Sequence, residues 1–175
     1  MMDLRDKNVV ITGGSYGIGR EIARAFLAEG ANVFVVARGQ EKLRACEEEL
    51  RKEFPGRNVR GYRADVGEKE EIKAVMDEIA AEGGGIQVLV NNAGIVIPGY
   101  FQDLPIEDFE KVMRTNYLGA VYATKAALPH LLRNRESAVT FTSSPAGIKG
   151  LFGYSTYSPT KAALIALAEV IRAEL

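Results

Sequence analysis

The chain has 175 residues, with 22 Lys or Arg and 23 Asp or Glu, so its formal net charge is −1. This balance gives no reason to expect nucleic acid or an anionic membrane as a partner. Apolar residues make up 47% and charged residues 26%, which is typical of a soluble globular domain. The single cysteine, Cys46, excludes an intrachain disulfide, and no stretch approaches the roughly 18 apolar residues of a membrane span. We therefore expect one cytoplasmic domain without a transmembrane segment or signal peptide.

Short apolar runs alternate with longer amphipathic segments along the chain. The runs predict strands, and the amphipathic segments predict helices, the last from near 155–159 to 175. The predicted strands are 8–12, 32–37, 59–64, 86–92 and 138–143, and the other predicted helices are 18–30, 40–54, 68–82 and about 106–133. This alternation, with nearly continuous apolar strands, predicts a parallel sheet covered by helices on both faces. Right-handed crossovers make it a doubly wound, three-layer α/β fold, the Rossmann fold, over residues 1–175.

A glycine-rich turn, "TGGSYGIGR", separates the first predicted strand from the first helix. Gly13, Gly17 and Gly19 have the spacing G-x-x-x-G-x-G. Glycines allow positive φ and a close approach of the backbone to a pyrophosphate, and a helix N-terminus supplies oriented N–H groups. An ordinary strand-to-helix turn would use one or two glycines, so three of them favour a dinucleotide site.

The end of the second strand indicates which dinucleotide is bound. An NAD site usually has an Asp or Glu here for the ribose 2′-hydroxyl, but this chain has Ala37 followed by Arg38. A guanidinium suits a 2′-phosphate. The alternative is a solvated surface arginine. The sequence therefore predicts NADP(H) as the cofactor.

Five further motifs follow the glycine turn in order: "ADV" (64–66), "NNAG" (91–94), "TNYLG" (115–119), "TSSPAG" (142–147) and "YSPTK" (157–161). Together they resemble the motifs of the short-chain dehydrogenase/reductase family, and the resemblance covers the whole chain. It implies that Asp65 faces the adenine amino group. The cofactor-binding residues it implies are Thr12, Gly13, Ser15, Tyr16, Gly17, Ile18, Gly19, Arg38, Asp65, Val66, Asn92, Ala93, Gly94, Tyr157 and Lys161.

The resemblance also implies four catalytic residues, Asn116, Ser144, Tyr157 and Lys161. Tyr157 and Lys161 are four residues apart, so they share one helical face. Tyr154 is seven residues before Lys161, about 10 Å along a helix, which is too far for a direct pair. We therefore assign the chemistry to Tyr157 and expect Tyr154 to line the substrate mouth or pack on it. Pro159 requires Tyr157 to lie at the very start of its helix.

Reduction of a ketone leaves a developing alkoxide that needs a proton, and a tyrosine of ordinary pKa gives up and regains that proton poorly at neutral pH. The Lys161 cation favours the phenolate form. The resemblance implies that Lys161 also binds the ribose hydroxyls, that Ser144 hydrogen-bonds the substrate oxygen, and that Asn116 holds a water relaying protons to Lys161. No His, Cys or acidic cluster has metal-ligand spacing, so we expect no metal.

Within the family, residues 101–132 and 143–164 look most like 3-ketodihydrosphingosine reductases, above all in the run Leu151–Phe152–Gly153. This resemblance implies NADPH-dependent reduction of a long-chain, lipid-like ketone in sphingolipid synthesis, with peripheral membrane association possible. The alternatives are 3-ketoacyl carrier protein reductase and hydroxysteroid dehydrogenase. From another class, the alternative is a catalytically silent NADP-binding regulatory protein.

Two expectations concern surfaces. Family members continue with two more strands and a substrate-covering loop, so we expect these residues to be part of a longer protein, with sheet order 3-2-1-4-5 and an exposed fifth strand. Family members also pair their long and last helices, which predicts a homodimer or homotetramer. The small residues expected at that interface are Ala120, Ala123, Ala127, Ala162, Ala163 and Ala166.

Overall fold

The computed structural model describes residues 2–175 and contains five strands. They are β1 (Asn8–Thr12), β2 (Asn32–Ala37), β3 (Val59–Arg63), β4 (Val88–Asn91) and β5 (Ala138–Phe141). All neighbouring strands are parallel, and their order in the sheet is β3-β2-β1-β4-β5. The predicted parallel sheet and its strand order are therefore confirmed.

Seven α-helices lie in the described part of the chain. They are α1 (Gly17–Ala28), α2 (Gln40–Glu53), α3 (Lys69–Gly83), α4 (Ile106–Met113), α5 (Gly119–Leu131), α6 (Pro145–Ile148) and α7 (Ser158–Glu174). The predicted bounds agree with these to within two residues. Two features were not predicted: a π-helical turn, Arg114–Leu118, joins α4 to α5, and the short helix α6 follows β5.

Each strand contributes alternate side chains to two separate cores. Val10, Phe34 and Leu89 pack on one face with α3 and α5. Val9 and Val33 pack on the other face with α1 and α2. Successive strand residues point to opposite faces, so a strand covered by helices on both sides must be apolar at nearly every position. This is why the middle of β1, residues 9–11, is apolar at every position between Asn8 and Thr12.

The strand order places a crevice between β1 and β4. The chain runs outward from β1 through β2 to β3 and returns to continue through β4 to β5, so the loops after β1 and β4 lead to opposite faces. Ligands of open α/β sheets bind in such a crevice, at the carboxyl ends of the strands. The glycine turn follows β1 at this point, and residues 92–94 follow β4.

Close packing explains two glycines of the turn. A Cβ added to Gly19 would lie 2.4 Å from the Gly13 carbonyl oxygen and 2.5 Å from the Asn92 side-chain nitrogen. Gly13 has φ of +67°, and a Cβ there would lie 2.7 Å from Cα of Ala93. Larger residues would push the turn away from the β4 loop, so these glycines fix the shape of the crevice.

The surfaces agree only in part with the sequence-based expectations. β5 pairs with β4 alone, and Val139 and Phe141 are partly exposed, as expected for the edge strand. Ala120, Ala123 and Ala127 are buried within the chain, the last two in the core with α3, so the prediction that these three lie at a subunit interface is wrong. The residues between 2 and 175 include no helix with the length and apolar character needed to cross a membrane.

The fold predicts a large difference between two leucines when each is replaced by alanine. Leu89 in β4 is fully buried, whereas Leu132, just after α5, is 63% exposed. Leu89→Ala should lower the free energy of unfolding by about 2–5 kcal/mol, because it leaves a cavity. Leu132→Ala should cost about 0.5 kcal/mol or less. Urea denaturation checks both values, and equal losses would contradict the core described here.

Candidate active site

A groove of about 840 Å³ lies at the carboxyl ends of β1 and β4. Its volume is in the range of small-molecule and cofactor sites. Most of the predicted cofactor-binding residues line it, namely Gly13, Ser15, Tyr16, Gly17, Ile18, Gly19, Arg38, Val66, Asn92, Ala93 and Gly94. The predicted residues outside this lining are Thr12, Asp65, Tyr157 and Lys161.

The turn after β1 fits an anionic group. Gly17 has φ of +56°, and a Cβ added there would meet nothing within 4 Å, so the backbone is open at this point. Tyr16 precedes α1 without capping it through its side chain. The first N–H groups of the helix are therefore free of a side-chain acceptor, which is the arrangement that binds a pyrophosphate.

Thr12 acts inside the protein and its side chain lies away from the groove. Its hydroxyl oxygen accepts hydrogen bonds from the N–H groups of Asn92 (3.1 Å) and Ala93 (3.2 Å). The Asn92 side chain in turn donates to the carbonyl groups of Thr12 and Gly13, at 3.2 and 3.1 Å. These bonds tie the glycine turn to the β4 loop. Thr12 thereby positions residues 92 and 93, and its direct contact with the cofactor stays a prediction.

At the outer end of the groove, Arg38 forms an ion pair with Asp65. The Nη1–Oδ2 distance is 3.4 Å, and the arginine side chain is half exposed. The other Asp65 oxygen accepts the Gly67 N–H at 2.9 Å. Asp65 therefore holds Arg38 at the groove, in addition to the adenine contact expected of it.

At the inner end, Lys161 is a buried cation. Only 4% of the residue is exposed, and its Nζ donates to the Thr142 carbonyl at 2.7 Å. Burial lowers the pKa of its ammonium group below the ordinary value, and no carboxylate among residues 2–175 pairs with it. Nζ lies 5.6 Å from the centroid of the Tyr157 ring. The structure thus brings the predicted tyrosine and lysine together.

Asn116 lies in the π-helical turn and braces the same end. Its Oδ1 accepts the Ile95 N–H at 2.8 Å, and its Nδ2 donates to the Ile95 carbonyl (2.9 Å) and to the Thr160 hydroxyl (3.1 Å). Both side-chain N–H groups are taken, so within the side chain only the remaining lone pair of Oδ1 is open to the expected water. A Cβ added to Gly94 would lie 3.3 Å from that oxygen and 3.5 Å from Lys161 Nζ, so this glycine keeps the space beside both groups free.

The two serines after β5 differ in what their hydroxyls do. Ser143 donates to the Lys161 carbonyl at 2.9 Å, so its proton is used within the protein. Ser144 caps α6 by accepting the Ala146 N–H at 3.2 Å, and its own proton stays available for a substrate oxygen. Helix α6 packs directly on the backbone of Lys161 at Gly147. The unpredicted helix therefore sets Ser144 beside α7.

Tyr157 lies where Pro159 required it, immediately before the first residue of α7. Its ring makes an edge contact with the Tyr154 ring, at 6.0 Å between centroids. Tyr154 also pairs with Gly99 in a short bridge between the β4 and β5 loops. Tyr154 therefore packs directly on Tyr157, and its position at the substrate mouth stays a prediction.

Some residues of the site were not found from the sequence. The Thr142 carbonyl and Ile95 act through backbone atoms, which no side-chain pattern reveals. Lys42 also lines the groove, and its Nζ lies 4.9 Å from the centroid of the Tyr16 ring. Lys42 lies in the first turn of α2, four residues after Arg38, and this spacing is the sequence feature that could have indicated it. Residues 2–175 contain no group of three His, Cys, Asp or Glu side chains placed to hold a metal ion.

Comparison with known proteins adds three relatives. The chain is 38% identical over 188 residues to a 3-ketodihydrosphingosine reductase of Dictyostelium discoideum, covering 98% of the chain and 56% of that protein. It is 30% identical, with a TM-score of 0.93, to the crystal structure of L-sorbose reductase from Gluconobacter frateurii complexed with NADPH and L-sorbose, covering 99% of the chain and 66% of the other. A short-chain dehydrogenase/reductase from Burkholderia phymatum in complex with NAD shares 26% identity and a TM-score of 0.96, covering 100% of the chain and 62% of the other.

The chain thus spans little more than half the length of the Dictyostelium relative. The family model described as short chain dehydrogenase matches residues 7–175. This match includes the glycine turn, the β4 loop and the tyrosine–lysine pair. The chain therefore belongs to the short-chain dehydrogenase/reductase family of oxidoreductases.

Proposed function

We propose that the protein to which this chain belongs reduces a long-chain ketone to a secondary alcohol with NADPH, as a 3-ketodihydrosphingosine reductase. The observation that carries the proposal is the unpaired, buried ammonium of Lys161 beside Tyr157 at the inner end of the groove. The substrate rests on the sequence likeness to the Dictyostelium reductase, of which the chain spans 56%.

The groove residues fit NADP(H). The glycine turn and the N-terminus of α1 would hold the pyrophosphate, Arg38 the 2′-phosphate, and Asp65 and Val66 the adenine. Residues 92–94, Tyr157 and Lys161 would hold the nicotinamide riboside. When bound, the cofactor supplies the hydride.

The residues at the inner end would deliver the proton. Tyr157 gives its hydroxyl proton to the ketone oxygen as negative charge develops there, and Ser144 donates a hydrogen bond to the same oxygen. The Lys161 ammonium stabilises the phenolate that remains. Because Lys161 is buried and has no carboxylate partner, its field on Tyr157 is screened less than that of a surface lysine. Asn116 holds Ile95 and α7 in register.

The loops beside Tyr157 favour a substrate with a hydrocarbon portion. Residues 91–102 and 150–160 contain no charged side chain. The two loops are joined by the Gly99 N–H donating to the Gly153 carbonyl at 2.9 Å, and the exposed rings of Tyr100 and Phe152 meet at 5.5 Å. Exposed aromatic rings of this kind are suited to contact with a hydrocarbon chain. The exposed Lys149 directly precedes the second loop, so reduction of a carrier-linked ketone stays an alternative to that of a free lipid ketone.

Hydroxysteroid dehydrogenase is the alternative that the same apolar loops suit. A catalytically silent NADP-binding protein would have no need of Asn116, Ser144, Tyr157 and Lys161 together. We further propose a homodimer or homotetramer, with the exposed Ala162 and Ala166 of α7 as the part of the predicted interface that is free to take part. Cytoplasmic location and peripheral membrane association stay predictions.

Tyr157→Phe should retain cofactor binding and lose ketone reduction by about 100-fold or more, because it removes the proton donor and little else. Tyr154→Phe is the matched control and should reduce the rate only mildly, since its ring contact with Tyr157 is kept. NADPH oxidation with 3-ketosphinganine measures both. Equal losses in the two variants would overturn the assignment.

Arg38→Ala should weaken NADPH binding much more than NADH binding, because only NADPH carries the 2′-phosphate. Arg44→Ala, an exposed position in α2 outside the groove lining, is the control and should change neither affinity. Fluorescence titration of the reduced cofactors gives both constants. If Arg38→Ala weakens the two cofactors alike, Arg38 does not select NADPH.

A further inference from the structure

We propose that Lys42 is a second residue that recognises the cofactor's 2′-phosphate, held in place by the ring of Tyr16. This inference rests on the proposed use of NADP(H), and it adds a specificity-determining residue that the sequence motifs do not include. The two residues come from opposite walls of the outer groove, Tyr16 from the glycine turn and Lys42 from the first turn of α2.

The geometry places the Lys42 cation at a defined point. Its Nζ lies 4.9 Å from the centroid of the Tyr16 ring, within the distance of about 6 Å over which a cation is attracted to an aromatic face. Among residues 2–175, no carboxylate lies at ion-pair distance from it. A lysine free in solvent would lose side-chain entropy on binding a ligand, and the ring contact removes part of that cost beforehand.

The charges at the outer end show why a second cation matters. Arg38 already pairs with Asp65, and Glu41 also lines the groove. Among the residues that line the groove, Arg38 and Lys42 are the two cations, and Lys42 is the one of them that no carboxylate among residues 2–175 pairs. A phosphate monoester brings a further charge of about −1.5 to −2 at neutral pH. Arg38 with its carboxylate partner is therefore a weak receptor by itself, and Lys42 supplies the missing positive charge.

The two cations have different roles. The Arg38 guanidinium is planar and can bind two phosphate oxygens with parallel N–H groups, whereas the Lys42 ammonium is a compact point charge. Tyr16 is a positioning residue for that charge. Because Tyr16 belongs to the turn that would hold the pyrophosphate, it fixes the ammonium relative to the rest of the cofactor.

Isothermal titration with two adenine nucleotides tests the proposal without requiring catalysis. The probes are adenosine 2′,5′-bisphosphate, which carries the 2′-phosphate, and adenosine 5′-monophosphate, which has the same 5′-phosphate and a free 2′-hydroxyl. Lys42→Gln should weaken binding of the bisphosphate about tenfold or more, the usual effect of losing a charged hydrogen bond, and change binding of the monophosphate less than about twofold. Tyr16→Leu should produce a smaller loss of the same kind. Lys52→Gln, an exposed lysine in the last turn of the same helix, is the control and should change neither.

The outcomes separate this inference from the proposed function. If the wild type prefers the bisphosphate and Lys42→Gln keeps that preference, the inference is overturned and NADP(H) use stands on Arg38. An equal loss for both nucleotides would also overturn it, because Lys42 would then act on the adenosine or the 5′-phosphates. If the wild type shows no preference for the bisphosphate, both the inference and the proposed NADP(H) preference fail.

Discussion

The buried ammonium of Lys161, bonded to the Thr142 carbonyl, is the constraint around which the inner end of the site is arranged. An unpaired buried charge is costly, so a fold keeps one only where the surrounding groups hold it in place. Here the Ser143 hydroxyl holds the Lys161 backbone, Asn116 holds the preceding Thr160, and α6 packs on the same turn of α7. These contacts come from two separate parts of the chain, residues 142–148 and the π-helical turn. The positions of Ser144 and Tyr157 follow from them.

The sheet places this cation at one end of a groove whose other end carries Arg38 and Lys42. Both ends lie at the carboxyl side of parallel strands, because the change of direction between β1 and β4 opens the crevice there. Between the two ends of the groove, the hydrogen bonds of Thr12 and Asn92 connect the end of β1 to the loop after β4. One rigid scaffold therefore fixes both the proposed phosphate contacts and the proposed proton donor, which proximity-based catalysis requires.

The features predicted from the sequence are those that local chemistry determines. Strand and helix positions follow from apolar periodicity, the strand order was inferred from the fold class that this alternation indicates, and Pro159 alone places Tyr157 at a helix start. The hydrogen bonds of Thr12 to the β4 loop were not predicted, because they depend on the register of β1 with β4. Ala123 and Ala127 were assigned to the surface because small residues suit an interface as well as a close contact with α3. Thr142 acts through its backbone carbonyl, which a pattern of side chains does not reveal. The motif around Asn116 resembles that of the family, but this likeness did not show that both side-chain N–H groups of Asn116 are used within the protein.

The claim that Lys161 is a buried cation without a charge partner can be tested by its effect on stability. Burial lowers its pKa below the ordinary 10.5, so between the two values the unfolded chain binds more protons than the folded one. The cost of burying the charge is fully present below the lowered pKa, falls as pH rises from that value towards 10.5, and is absent above it. Equilibrium urea unfolding of the wild type and Lys161→Met, from neutral pH to about pH 10, should therefore show the wild type gaining stability relative to the variant as pH increases. A difference that stays constant or falls with pH would show that Lys161 is solvated or paired, and would contradict this account.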